Sequence, residues 1–234
     1  MPDIKENLKE IRERISKAAL RASRDPQSVR LVAVSKKIDL PRIQEAILAG
    51  QLIFGENYMQ EAREKIKGGG ERAQWHFIGH IQSKKAKDAA TLFDMVHTVD
   101  RLKLARALDQ YAGREYRVLP VLVQVNVGEE EQKEGVLPER AEELLQSMLD
   151  LPSLRVKGLM TMPPFMANAE EVRPYFRRLR EMAEYFAGKG YFGDQEGFEL
   201  SMGMSGDFEV AVEEGATLVR VGTALFGARP PGRQ

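Results

Sequence analysis

Ile4, Leu8, Ile11 and Ile15 recur at three- and four-residue spacing near the start of the chain, with charged residues between them. That period is one face of an amphipathic helix, so residues 1–24 are expected to open the protein as a helix. Beyond them short apolar runs alternate with longer amphipathic ones. VRLVAVS (29–35) leads into LPRIQEAILAG, LIFGEN (52–57) into YMQEAREKI, QWHFIG (74–79) into QSKKAKDAATLF, and MVHTV (95–99) into DRLKLARALDQYA. The series continues with VLPVLVQVNV (118–127) before PERAEELLQSMLD and RVKGLMT (155–161) before AEEVRPYFRRLREMAEYFA. It closes with FELS (198–201) before SGDFEVAVEEG, and TLVRVG (217–222) last.

Strict alternation of this kind predicts parallel strands joined by crossover helices. Eight repeats fit an α/β protein with a closed (β/α)8 TIM barrel over residues 29–228 and an extra N-terminal helix, all in one domain, 1–234. A doubly wound open sheet shares the same spacing and is the alternative. The connections are short apart from GEEEQKEG (128–135) and GKGYFGDQEG (188–197). The glycine run at 68–70 lacks a following lysine–serine pair and reads as a flexible turn rather than a P-loop.

Composition narrows the class. Lys+Arg and Asp+Glu are equal at 35 each, so the formal net charge is zero. That balance gives no footing for nucleic acid or an anionic membrane surface. There is no cysteine, which excludes disulfides, thiolate nucleophiles and cysteine-bound metals. No apolar run is long enough to span a membrane and no signal core opens the chain, so a cytoplasmic location is expected. The three histidines are scattered without supporting carboxylates, and no metal is expected.

Candidate chemistry collects where a barrel works, at the C-terminal ends of its strands. Those ends carry Ser35-Lys36, Glu56-Asn57, Gly79-His80, Asn126, Ser201, and Arg220 leading to Gly222-Thr223. A lysine in a desolvated mouth loses its proton readily and suits Schiff-base chemistry, whereas most strand-end lysines are simply solvated. Alternation puts Lys36 on the face of Val32 and Val34, and Lys37 on the other. Both faces of a barrel strand are apolar, so alternation alone leaves the choice open. In LSMGMSGDFEVAVEEG, Gly203 and Gly206 bracket Ser205 ahead of a helix, which fits either an anion site or a plain serine N-cap. RVGTALFG adds Gly222 and the Thr223 hydroxyl, and the loops after strands seven and eight are where barrels build phosphate sites. Arg220 lies inside an apolar strand and must be paired or liganded, either by a carboxylate such as Glu199 or by a ligand in the mouth. His76 and His97 sit early in their strands and read as structural.

With these features in place, the chain resembles the pyridoxal phosphate homeostasis protein family, single-barrel proteins related to the N-terminal barrel of alanine racemase. The resemblance rests on AVSK, FGENYMQE, WHFIGHIQ, VHTVD, QVNVGEEEQKEG, GLMTMPP, LSMGMSGDFEVAVEEGAT and RVGTALFG, which cover nearly the whole chain. It implies pyridoxal 5'-phosphate (PLP) as cofactor and Lys36, after the Val-Ser pair, as its Schiff-base lysine. It also implies Ser201, Ser205, Gly206, Gly222 and Thr223 around the phosphate and Arg220 facing the pyridine nitrogen. Asn57, His80, Met160 and Met202 would line the ring. Lys84 stands where the family often has asparagine, so that loop is left out of the site.

The function implied is intracellular PLP homeostasis, with the cofactor held on Lys36 and released to PLP-dependent apoenzymes or to amino acids. An arginine at the ring nitrogen disfavours its proton and weakens the electron sink. Alanine racemase shares that arginine but draws a second acid/base tyrosine from a C-terminal β-domain, for which the stretch beyond strand eight is too short. Tyr58, Tyr175 and Tyr191 have no supporting spacing. An amino-acid racemase and a Schiff-base aldolase are the alternative readings.

Overall fold

The computed structural model describes residues 3–69, 72–192 and 197–227. It runs α1 (Ile4–Arg21), β1 (Arg30–Val34), α2 (Leu40–Leu48), β2 (Ile53–Glu56), α3 (Met59–Gly69), β3 (Gln74–Phe77), α4 (Ala86–Leu92) and β4 (Met95–Val99). There follow α5 (Leu102–Arg114), β5 (Leu119–Gln124), α6 (Pro138–Met148), β6 (Leu154–Met160), α7 (Arg173–Gly188), β7 (Glu199–Ser201), α8 (Phe208–Glu213), β8 (Leu218–Val221) and α9 (Thr223–Phe226). All eight expected strands are present and parallel. β1 pairs with β2 on one side and β8 on the other, with Ala33 opposite both Phe54 and Val221. That closure makes a (β/α)8 barrel and decides against the open sheet.

Alternation along each strand divides the core. Outward residues such as Leu31, Ala33, Phe54, Val121 and Val219 join one large apolar cluster under the helices. Inward residues form a small cluster of Val32, Met95, Leu122, Met160 and Leu218. The buried groups His76, His97, Ser201 and Arg220 alternate with outward-facing neighbours on their strands, so they share the barrel interior with that cluster.

α1 begins where Asp3 accepts the Glu6 amide at 3.1 Å, an N-cap. Its buried stripe of Ile4, Leu8, Ile11 and Ile15 is the one the spacing predicts. The helix packs on α8 and α9, where Arg14 bonds Glu209 at 2.9 and 3.0 Å and Asn7 donates to the Leu225 carbonyl at 2.9 Å.

Three boundaries differ from expectation. α1 stops at Arg21, because the chain turns through Ala22 and Ser23, whose φ is +55°, before a 3₁₀ turn at Pro26–Ser28. The glycine run is not all turn, since Gly69 still belongs to α3, while Gly70 lies outside the described residues. α8 is shorter than SGDFEVAVEEG suggests: Asp207 Oδ1 accepts the Met204 amide at 2.6 Å and holds residues 204–207 in a turn. Residues 193–196 of the loop expected at 188–197, and the expected barrel end at 228, lie outside the described residues. Among the described residues no helix is long and apolar enough to cross a membrane.

Candidate functional site

The C-terminal ends of the strands surround a cavity of about 640 Å³, within the roughly 300–1,000 Å³ typical of small-ligand sites. The β1 stretch explains which lysine reaches it. Val32 points into the barrel interior, Val34 lines the cavity, and the next residue on that face, Lys36, lines it too. Ser35, between them, faces outward and is fully buried. Lys37 is exposed with φ +60°, and its amide donates to Glu61 Oε1 at 2.5 Å. The strand thus delivers Lys36 to the cavity and turns away at Lys37.

A buried ionic cluster braces that strand end from behind. Ser35 Oγ donates to Glu56 Oε1 at 2.6 Å. Lys65 Nζ reaches from α3 to Glu56 Oε1 at 2.7 Å, Glu61 Oε1 at 2.5 Å and the Ser35 carbonyl at 2.6 Å. The Glu56 side chain is fully buried and burial raises its pKa, with Lys65 and Ser35 opposing the rise. Sequence reasoning named Glu56 only as a strand end and overlooked Lys65. The available signal was the Glu61–Lys65 pair at i,i+4 on one helical face.

β2 and β3 supply the next part of the wall. Asn57 lines the cavity, and its Oδ1 is buried without a hydrogen-bond partner. Gly79 permits this approach, because a Cβ there would lie 2.4 Å from the Asn57 carbonyl oxygen.

The loops after β7 and β8 meet across the mouth. Gly203, at φ +90°, tucks the first loop against α8, where a Cβ would lie 2.5 Å from the Ala211 Cβ. Ser205, Gly206, Gly222 and Thr223 then line the cavity together. Ser205 does not cap α8, as the simpler reading supposed. Asp207 occupies the cap position, and Ser205 Oγ instead accepts the Gly222 amide at 3.4 Å, linking the two loops.

Arg220 rises from the barrel interior to line the same cavity and is 3% exposed. Glu199, the carboxylate alternative, is taken by Arg30 and Thr217. Arg220 donates instead to Ser201 Oγ at 2.7 Å and the Thr161 carbonyl at 2.8 Å. Burial lowers its pKa to about 10, with Asp207 opposing, so it stays charged at neutral pH.

Four anticipated site residues lie elsewhere. Ser201 is fully buried beneath the cavity, its hydroxyl engaged by Arg220 and His97. Met160 packs in the interior cluster and Met202 in the outer core, since neighbours on one strand face opposite ways. His80 stays out of the cavity lining, its side chain 41% exposed and its Nδ1 3.2 Å from Glu134. Asp100 joins that pair, bringing ligand-type atoms of His80, Asp100 and Glu134 within 4.8 Å of one another, a grouping their separation in sequence conceals. Asp100 is itself paired with Arg101. Sequence reasoning also missed the apolar wall after β6, formed by Met162, Pro163, Pro164, Phe165 and Met166.

The profile of the alanine racemase N-terminal domain matches residues 4–230. The pyridoxal phosphate homeostasis protein of Escherichia coli is 44% identical over 234 residues, 98% of each chain. That of Aquifex aeolicus is 43% identical over 225 residues, 96% of this chain and 97% of its own. The structure of PipY from Synechococcus elongatus with PLP bound superposes with a TM-score of 0.79 at 38% identity, covering 93% of this chain and all of that one. On full-length matches of this strength, the chain belongs to the pyridoxal phosphate homeostasis protein family, whose barrel is that of the alanine racemase N-terminal domain.

Proposed function

We propose that the protein binds PLP and serves its homeostasis, holding the cofactor reversibly on the Lys36 amine and releasing it to PLP-dependent apoenzymes or to amino acids. Residues 1–234 act in this reading as one PLP-binding domain working in the cytoplasm. The observation that carries it is Lys36 on the inner wall of a cavity also lined by Arg220, Asn57 and two hydroxyl-bearing loops. The names of the relatives support the cofactor.

The residues present fit such a ligand. Asn57 Oδ1 lacks a partner, and an unsatisfied buried acceptor costs about 1–3 kcal/mol that a ligand donor would recover. A Cβ at Gly206 would meet nothing within 4 Å, so its backbone stands open to the cavity. Among the described residues Arg220 donates to neutral groups, and the Asp207 carboxylate acts on it through space rather than through a hydrogen bond, so the guanidinium can still meet a ligand.

When bound, PLP supplies an aldehyde for the Lys36 amine and an aromatic ring able to take up electrons. Ser205, Gly206, Gly222 and Thr223 would hold its phosphate through hydroxyl and amide donors. Arg220 would set a fixed positive charge at the ring, which disfavours a ring proton and suits retention over turnover. Racemization needs an acid/base group besides Lys36. Among the described residues no tyrosine lines the cavity, and the Tyr191 hydroxyl donates to Glu142 at 3.0 Å.

Titration with PLP tests the proposal. The wild-type protein is expected to gain a visible absorbance band that Lys36→Ala does not develop. It should leave the α-proton of L-alanine unexchanged in deuterium oxide. A Lys36→Ala protein with an unchanged spectrum would sink the assignment, and rapid α-proton exchange would replace the carrier with a racemase.

A further inference from the structure

Beneath the cavity a chain of polar side chains runs down the barrel interior. Arg220 donates to Ser201 Oγ at 2.7 Å, Ser201 Oγ lies 2.9 Å from His97 Nδ1, and His97 Nε2 lies 3.0 Å from His76 Nδ1. Ser201 and His97 are fully buried and His76 nearly so. None of the three lines the cavity, so none is placed to touch a ligand there.

The donor and acceptor inventory favours one direction for this chain, the one in which the Ser201 proton is used. A guanidinium only donates, so Ser201 Oγ accepts from Arg220, and its single proton is used when it goes to His97 Nδ1, 2.9 Å away. His97 must then carry its proton on Nε2, and it donates to His76 Nδ1. His76 is left with its own proton on Nε2. Burial supports the neutral forms, pushing His76 down to about 3 and His97 well below its ordinary value, with the Arg220 charge contributing for His97. A proton on His97 Nδ1 would reverse the link, with Nδ1 donating to Ser201 Oγ and the serine proton left without this acceptor.

The chain solves a specific problem. Arg220 is buried, and among the described residues it donates to two neutral oxygens. A carboxylate in place of Ser201 would hold the guanidinium more tightly but would neutralise it. A bare hydroxyl would leave it loosely aimed. A serine whose proton is committed to a neutral imidazole presents its lone pairs to Arg220 alone.

We infer that Ser201, His97 and His76 are positioning residues that aim Arg220 at the cavity, and that Ser201 acts through Arg220 rather than as a phosphate ligand. This rests on the PLP-binding reading above but goes beyond it. It moves Ser201 from the phosphate to the floor and gives two buried histidines a role in ligand recognition.

The two roles for Ser201 separate by competition. Wild type, Ser201→Ala, His97→Leu and His97→Asn are loaded with PLP, and inorganic phosphate is titrated against it. Ser201→Ala and His97→Leu are expected to shift the visible band and weaken PLP about tenfold, the scale of a lost hydrogen bond to a charged group. The inhibition constant of inorganic phosphate should stay within about twofold of wild type, because phosphate is held by the loops above. His97→Asn, whose amide oxygen can replace the Nδ1 acceptor, should restore the band.

In the apoprotein, ¹⁵N imidazole shifts should report neutral Nε2–H tautomers at both histidines across about pH 5–8. Ser201→Ala should change the His97 shifts while sparing the fold. The inference fails if Ser201→Ala weakens phosphate as much as PLP, if His97→Leu leaves the band unmoved, or if His97 carries its proton on Nδ1. Should His97→Leu not fold, Ser201→Ala and the apoprotein spectrum still decide. A wild-type protein that develops no band removes the PLP reading itself, an outcome distinct from variants that match a coloured wild type.

Discussion

Replacing Lys65 with methionine keeps the length of the side chain and removes the ammonium that pairs with Glu56. The Glu56 side chain is fully buried, and Lys65 is 7% exposed. Lys65 also bonds Glu61 at 2.5 Å and the Ser35 carbonyl at 2.6 Å. Removing one member of a buried ion pair costs about 3–5 kcal/mol, because the other charge is stranded. Glu56 can escape part of that penalty by taking up a proton, at about 1.4 kcal/mol per pKa unit.

The sign of the pH dependence follows. Burial already raises the Glu56 pKa and Lys65 opposes it, so Lys65→Met raises it further. A carboxyl group whose folded pKa is raised loses folded-state stability as pH climbs from its unfolded value, about 4.3, towards its folded value. The penalty is complete above the folded value. The deficit relative to wild type should therefore be small near pH 4 and grow towards neutrality. Urea unfolding measures it, using circular dichroism and the fluorescence of Trp75, the sole tryptophan, which stacks on Phe54 with ring centroids 5.2 Å apart. Coincidence of the two probes checks that one transition is being observed. A deficit below about 1 kcal/mol at neutral pH, or one equal at both pH values, would refute the stranded carboxylate.

Other perturbations separate stability from binding. Arg220→Met removes a buried charge whose bonded partners are neutral, so the apoprotein should lose little stability while PLP affinity falls at least tenfold, read by thermal denaturation and absorbance titration. Asn57→Ala should weaken PLP by about 1–3 kcal/mol, by the same titration, without lowering the apoprotein melt, since it removes a buried acceptor that has no partner to lose. Gly79→Ala forces a Cβ to within 2.4 Å of the Asn57 carbonyl oxygen, and should lower both melting temperature and PLP affinity because backbone must move. Ile11→Ala, at a residue 2% exposed in the stripe joining α1 to the core, should cost about 2–5 kcal/mol in urea unfolding without moving the PLP band.

Periodicity exposed the barrel because every strand is bounded by an amphipathic helix, and only closure, which is a pairing of β1 with β8, was invisible to spacing. Lys36, Asn57, Arg220 and Thr223 were legible as polar residues at strand ends, and Ser205, Gly206 and Gly222 as parts of the loops after strands seven and eight; they meet in one cavity, though only the family resemblance chose Lys36 over Lys37. Ser201 and Met202 show where the same rule misleads. Both sit at the end of β7, yet adjacent side chains face opposite ways, and the serine goes inward while the methionine joins the outer core. The partners of Arg220 could not be read either, since Ser201 ends β7 and Thr161 follows β6. Lys65 stayed hidden because its role depends on how α3 packs behind β1, which a helical period does not encode.

Borohydride reduction of the PLP-loaded protein, followed by peptide mapping, addresses the central claim most directly. The stable pyridoxyl adduct is predicted on Lys36 alone, with the neighbouring Lys37, exposed and turned from the cavity, unmodified. An adduct shared equally by both lysines, or found on another residue while Lys36 stays unlabelled, would contradict the account.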